Sequence, residues 1–317
     1  MKAFLFPGQG SQQIGMGREI YEAFPCARAV FQEVDETLKQ NLTKIIFEGP
    51  LEELTQTENT QPALMTVSMA VMRVLEKEAN YSLSKHVAYV AGHSLGEYSA
   101  LCATGALTLS EAARLLKIRG QLMQQAVPVG QGAMAAILGL EMSDIEKIVK
   151  AAAQGEVCQI ANDNSPGQVV ISGQKEAIER AIDLAKESGA KRSLLLNVSA
   201  PFHCALMQPA QDEMKKVLEE AAIKDSLVPV MDNVLAEPVQ AGEAFRDLLT
   251  RQITGRVRWR ESLVHLADLG VNMTVEIGAG KVLTGLVKRT VPEMEAFALN
   301  TPEDIENLLK TISSQEP

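Results

Sequence analysis

The chain has 317 residues, 46% of them hydrophobic and 22% charged, with a net charge of −10 at pH 7. These are the proportions of an ordinary globular protein, so a disordered chain is not expected, and the acidic balance argues against non-specific nucleic-acid binding. No apolar run approaches the ~18 residues of a membrane span, and the scattered Cys26, Cys102, Cys158 and Cys204 contain no C-x-x-C pair, so we expect no membrane partner, no disulfide framework, no metal and a cytoplasmic location.

Residues 3–6 read as a first strand that turns at Pro7-Gly8, after an apolar stretch too short for a signal peptide. Residues 62–79 predict a helix with Pro62 near its first turn. A short buried strand at 87–91 runs into Gly92-His93-Ser94-Leu95-Gly96, and residues 97–103 supply a following helix. Thr108-Leu109-Ser110-Glu111 is a capping box opening a helix to about Gln124. The middle of the chain then gives a strand at 134–140, a helix at 144–153, and strands at 157–161 and 169–172 around Asn164-Ser165-Pro166-Gly167. A helix at 176–187 and a strand at 194–198 close this unit, whose β-α-β-β-α-β order is ferredoxin-like. Strands at 228–231 and 273–277 and helices at 243–250, 262–269 and 282–290 follow, and the polar tail 313–317 is expected to fray. The alternation predicts an α/β fold with a mainly parallel sheet, formed by residues 1–127 and 199–317. A small ferredoxin-like α+β subdomain, residues 128–198, is inserted into it.

The G-x-S-x-G run sits where a serine nucleophile needs it, between a strand and a helix, so that the Ser94 hydroxyl projects at the sheet's carboxyl edge. The alternative is a buried serine in a glycine-rich turn. A serine hydroxyl needs a base, and the chain has four histidines. His93 adjoins Ser94 but should point away from it, His265 lies in a helical run, and His86 has no chemistry beside it. His203 follows the strand at 194–198 in a loop and after the serine in chain order, which makes it the candidate base. Asp144, Asp163 and Asp183 lie between the two, but none stands at a strand's carboxyl end, so a backbone carbonyl is the other way to orient the histidine.

Arg119 shares a helix face with Ala112, Leu115, Leu116, Leu122 and Met123. A guanidinium turned into a core must meet an anion, either a permanent partner such as Glu97 or Glu276 or a substrate carboxylate. Gly8-Gln9-Gly10 lacks the third glycine of a dinucleotide loop, and Gly278-Ala279-Gly280-Lys281 lacks the residues of a phosphate loop. The backbone N–H of Gln9, with that of Leu95, suits an oxyanion hole better.

Phe6-Pro7-Gly8-Gln9-Gly10-Ser11-Gln12, the G-x-S-x-G run, Arg119-Gly120, the run from Asn164 to Val170, Pro201-Phe202-His203, Arg251-Gln252 and Glu276-Ile277-Gly278 occur together and in order. Over nearly its whole length the chain thereby resembles the malonyl-CoA:acyl carrier protein transacylases of bacterial fatty-acid synthesis. The resemblance implies a hydrolase-like α/β domain with a ferredoxin-like insertion, acylation of Ser94 with His203 as base, and an oxyanion hole at Gln9 and Leu95. It implies that Arg119 binds the malonyl carboxylate and that the backbone carbonyl of Gln252 orients His203. Malonyl-CoA and acyl carrier protein are the implied partners, with coenzyme A thioester as substrate and no cofactor. Two rivals use the same site, an acyltransferase serving a polyketide synthase and a thioesterase-like hydrolase. Carrier proteins of this kind are acidic, so docking calls for a local basic patch, and Lys191-Arg192 and Lys288-Arg289 are the candidates. Each is also explained as a solvated surface pair.

Overall fold

The computed structural model describes residues 1–313, so the expected fraying beyond Ser313 lies outside the described residues. Among the described residues ten strands form two sheets: β1 Lys2–Phe6, β2 Tyr89–Gly92, β3 Gly132–Leu138, β4 Cys158–Ser165, β5 Gln168–Gln174, β6 Arg192–Leu195, β7 Val230–Met231, β8 Pro238–Val239, β9 Met273–Ile277 and β10 Glu295–Leu299. The first sheet runs β10-β9-β1-β2-β7-β8, parallel throughout except for the β7–β8 pair. The α/β class with a mainly parallel sheet is therefore the one observed.

Central β1 shows why its sequence is apolar without alternation: both faces are covered. Phe4 and Phe6 enter a core shared with the helix Thr57–Glu78, whereas Ala3 and Leu5 enter a second core with Trp259, Leu263 and Leu286. The two-residue period of a strand thus feeds two separate cores from one five-residue segment.

The helix expected at 62–79 begins five residues earlier, at Thr57, and Pro62 lies inside it. Pro62 suits a first helical turn, and Thr57, Asn59 and Thr60 before it are weak helix formers, so nothing in the sequence signals an earlier start. The helix's first turn closes instead on Gln56, whose carbonyl accepts from Asn59 and Thr60 N–H, each at 2.8 Å. The polar residues Thr57, Asn59, Thr60 and Gln61 are buried. The strand expected at 228–231 shrinks to β7, since Pro229 has no N–H to pair and can only precede the strand. The helices Pro25–Leu38 and Gln208–Glu220 and strand β10 are elements the sequence reading did not name. No helix among the described residues is long and apolar enough to cross a membrane.

The second sheet, β4-β5-β3-β6, is antiparallel throughout, and in its own chain order reads 2-3-1-4, the ferredoxin-like arrangement. The helices Met142–Ala153 and Lys175–Glu187 cover one face through Ile145, Ile148, Ile178 and Ile182. Strand β4 is pinned to the first layer: Val257 N–H donates to the Ala161 carbonyl and its own carbonyl accepts from Asp163 N–H, and the Arg260 guanidinium grips the buried Asp163 carboxylate at 2.8–3.0 Å. Asp163→Asn should lower unfolding stability by about 1–3 kcal/mol in urea titration, the smaller end applying if half-buried Arg260 recovers water.

Candidate active site

The site forms at the carboxyl ends of β1 and β2. Gly92 ends β2, Ser94 adopts left-handed backbone (φ 54°), and the helix Gly96–Ala103 departs at once. A Cβ on Gly92 would lie 1.9 Å from the Gly96 backbone, and one on Gly96 would lie 2.2 Å from the Phe6 carbonyl oxygen. Both glycines of the motif are therefore demanded by close backbone approach. Asn233, just after β7, holds this elbow: its Oδ1 accepts from Ser94 N–H at 2.8 Å and its Nδ2 donates to the Gly92 carbonyl at 2.7 Å. No local pattern in the sequence points to Asn233, which acts from 139 residues away.

The structure brings His203 to Ser94. His203, also left-handed (φ 58°) and buried, places Nε2 2.8 Å from Ser94 Oγ and Nδ1 2.8 Å from the Gln252 backbone carbonyl. A carbonyl only accepts, so Nδ1 carries the proton and Nε2 presents its lone pair to the serine. Asp163 is bound to Arg260, while Asp144 and Asp183 pair with Lys147 and Lys186 on the surface, so none of them orients His203. Burial, reinforced by the nearby Arg119 charge, lowers the His203 pKa to about 3. His93 lines the same cavity as Ser94 but bonds Asn164 Oδ1 through Nε2 at 2.8 Å and not the serine, and His86 and His265 bond backbone carbonyls elsewhere.

Arg119 lies on the buried face of the helix Leu109–Gln125, only 1% exposed. Its Nη1 donates to Gln61 Oε1 at 2.7 Å, and its Nη2 donates to Gln252 Oε1 at 2.8 Å and to Ser94 Oγ at 3.1 Å. The guanidinium also lies over the Tyr98 ring, 5.6 Å from its centroid. Neither carboxylate weighed as a permanent partner takes that role. Glu97 Oε2 accepts from Gln252 Nε2 at 2.7 Å, and Glu276 accepts from the N–H groups of Leu283 and Thr284 and the Thr284 hydroxyl at the start of the helix Val282–Thr290. The cation is solvated by amide oxygens in place of an ion pair. Gln61 is one functional neighbour that the sequence did not reveal, because it lies just before the helix start expected at Pro62.

Gln9 and Leu95 flank Ser94 in the same cavity. Their backbone N–H groups meet no acceptor among the described residues, whereas those of Gly96 and Glu97 are taken by His93 and Ser94 carbonyls. The Gln9 side chain is tied through Thr57 to Gln61, at 2.8 and 3.0 Å, so the turn after β1 and the Arg119 pocket are one hydrogen-bonded unit. The cavity has a volume of about 270 Å³ and lies between the two sheets, with Met134, Ala136, Asn162 and Val170 forming the wall opposite Ser94. A larger hollow of about 600 Å³ at the amino ends of β1, β9 and β10 is lined by Ser84 and His86, but His86 Nδ1 bonds the Ser82 carbonyl and Ser84 Oγ bonds Ser82 Oγ, so they form no nucleophile–base pair.

Lys191, Arg192, Lys288 and Arg289 are exposed. Arg192 pairs across β6–β3 with Leu138, Leu138 pairs across β3–β5 with Gln168, and Arg289 donates to Gln168. Since Gln168 lines the cavity, the two basic clusters stand in one band at its rim. For His203, the imidazole binds its proton more weakly when folded than unfolded, so stability is lost as the pH falls from about 6.5 toward 3. His203→Gln should flatten that acid-side loss in a series of thermal melts between about pH 7 and 4.

Residues 3–306 match the family model described as acyl transferase domain. The malonyl CoA-acyl carrier protein transacylase of Bacillus subtilis (strain 168) is 48% identical over 314 residues, covering 99% of this chain and 98% of that protein. Among solved structures, the acyl-carrier-protein-S-malonyltransferase from Bartonella henselae is 52% identical with a TM-score of 0.96, covering 98% of this chain and 99% of its own. A malonyl-transacylase solved in complex with its type II PKS acyl-carrier protein is 44% identical with a TM-score of 0.95, covering 98% and 99%. The chain belongs to the acyl transferase family, within its malonyl-CoA:acyl carrier protein transacylases.

Proposed function

We propose that the protein transfers a malonyl group from malonyl-CoA to the pantetheine thiol of acyl carrier protein through an acyl-serine. Ser94 Oγ attacks the thioester carbonyl as His203 Nε2 takes its proton, and the Gln9 and Leu95 N–H groups receive the developing oxyanion. The intermediate collapses, and the coenzyme A thiolate leaves with the proton from His203. The carrier thiol then repeats the sequence on the acyl-serine, its proton passing through His203 and back to Ser94. The residues in place call for no cofactor, and the reading places the enzyme in the cytoplasm.

The observation that carries this reading is Arg119, a buried guanidinium without a carboxylate, 3.1 Å from Ser94 Oγ. A malonyl carboxylate supplies the missing anion and thereby places its own thioester carbonyl at the serine. It has a second effect. Arg119 is one cause of the low proton affinity of His203; neutralising it strengthens the base when the correct acyl group is bound. An acetyl group brings neither gain. For the second step, the basic band at the cavity rim provides the local field an acidic carrier needs against a chain of net charge −10.

Intact-mass measurement after mixing with malonyl-CoA should show a malonyl adduct that disappears in Ser94→Ala and is discharged by holo carrier protein. A persistent adduct in that variant would sink the assignment. Arg119→Ala should cost malonyl transfer roughly 3 kcal/mol in kcat/KM, with acetyl transfer falling much less. Equal losses would make the arginine structural. Reversing Lys191, Arg192, Lys288 and Arg289 to Glu should slow transfer to the carrier, most at low salt, and leave acylation by malonyl-CoA nearly unchanged.

A further inference from the structure

Two acids behind the Ser94 elbow have no part in the chemistry above. Glu97, in the first turn of the helix Gly96–Ala103, and Asp232, directly after β7, are each 0% exposed. Glu97 Oε2 accepts from Gln252 Nε2 at 2.7 Å and from Asn233 N–H at 3.3 Å. Asp232 Oδ1 accepts from Val234 and Leu235 N–H at 2.8 and 2.6 Å. The remaining oxygens, Glu97 Oε1 and Asp232 Oδ2, are buried and receive no donor, although the two carboxyl groups lie within hydrogen-bond reach of each other. Ionised carboxylates only accept, so these two groups can bond only if a proton lies between them.

We propose that Glu97 and Asp232 share one proton, and that Glu97 thereby serves as a positioning residue for Arg119 and His203. The inference rests on the acyl-transfer reading above. Its geometric basis is the hub at Gln252. The Gln252 amide nitrogen is held by Glu97 Oε2 and by the Ser94 carbonyl at 3.0 Å, so the amide cannot flip. Its oxygen is thus fixed toward Arg119 Nη2, while its backbone carbonyl holds His203 Nδ1. Through Asn233 the same Glu97 oxygen also steadies the N–H of Ser94.

The charges around the pair favour a single proton. Burial and the neighbouring Asp232 push the Glu97 carboxyl well above the usual carboxylate range, against the weaker pull of the Gln252 amide. Arg119 and Tyr98 face Glu97 from the site side, and Arg258 acts on Asp232 from the other. Two backbone N–H groups occupy Asp232 Oδ1, so Asp232 Oδ2 is the oxygen left to receive a proton carried by Glu97.

Amide substitutions test the shared proton. In Glu97→Gln the new NH2 replaces the proton toward Asp232, and in Asp232→Asn the new NH2 points at Glu97; either change keeps one donor between the groups. The double variant sets two NH2 groups face to face. Each single variant should keep malonyl transfer and the malonyl-over-acetyl preference within about fivefold of the parent, while the double falls by more than about 30-fold and loses that preference. Glu97→Leu, which removes the shorter of the two bonds holding the Gln252 amide, should lose the preference as the double does. A protonated-carboxyl infrared band should persist in the parent protein at about pH 8, above the ordinary carboxylate range, and vanish in Glu97→Gln. A missing band, a double variant no worse than the sum of the singles, or equal loss of malonyl and acetyl transfer would each overturn the proposal. If the parent protein is not acylated by malonyl-CoA, the acyl-transfer reading fails; the infrared band still reports on the proton.

Discussion

Burying the Arg119 charge without a counter-ion is the constraint from which much of this molecule follows. A lone guanidinium in a core is unfavourable by several kcal/mol unless its protons are taken up. Here Gln61 and Gln252 supply amide oxygens, and the Tyr98 ring lies beneath the cation. Each of these supports requires another. Gln61 can reach Arg119 only because the helix Thr57–Glu78 begins with a buried polar turn, and that turn is tied to the loop after β1 through Thr57 and Gln9. Gln252 can reach it only because its amide nitrogen is occupied by Glu97 and the Ser94 carbonyl. The pocket is soft toward an incoming carboxylate yet rigid in direction, since amide oxygens can cede a cation to an anion without leaving a buried negative charge behind.

The same arrangement explains how the histidine works without an acidic partner. A carboxylate at Nδ1 would stabilise the imidazolium, but it would also sit close enough to compete for Arg119. A backbone carbonyl orients the ring and fixes its tautomer while adding no net charge. The resting imidazole is then neutral well below neutral pH, and its proton affinity responds to what is bound beside it.

Much of this was legible in the chain because it is encoded locally. Gly92, Ser94 and Gly96 lie in one turn, Thr108 caps the Arg119 helix through Glu111 N–H, and the period of 112, 115, 116, 119 and 123 turns Arg119 inward. The ferredoxin-like unit was legible because six elements in fixed order leave few topologies. What escaped was set by distance in sequence. Asn233 supports Ser94 across 139 residues, Gln61 meets Arg119 across 58, and Gln252 meets Glu97 across 155. A glutamine or asparagine carries no pattern announcing such a contact. The polar start of the helix at Thr57 lay outside the expected span for a related reason: Thr57, Asn59 and Thr60 are weak helix formers, and Thr57 and Gln61 bond partners outside the helix. The position of Gln252 came from family resemblance alone, and no local signal marks it.

The cavity has two walls of different origin. Ser94, His203, Arg119, Gln9 and Gln252, which face the reacting atoms or hold those that do, all lie outside residues 132–195, while Met134, Ala136, Asn162, Asn164 and Val170 all lie within them. The first group is bound into one polar lattice, where exchanging any member disturbs the others. The second is largely a patch of side chains on a separate sheet, whose own core of Ile145, Ile148, Ile171 and Ile178 faces the other way. Variation can therefore accumulate on one wall at little cost to the other. A lineage needing a bulkier acyl substituent could enlarge the pocket by trimming Met134 or Val170, keeping its chemistry intact, so the inserted sheet is the part of this enzyme through which new substrates can be explored.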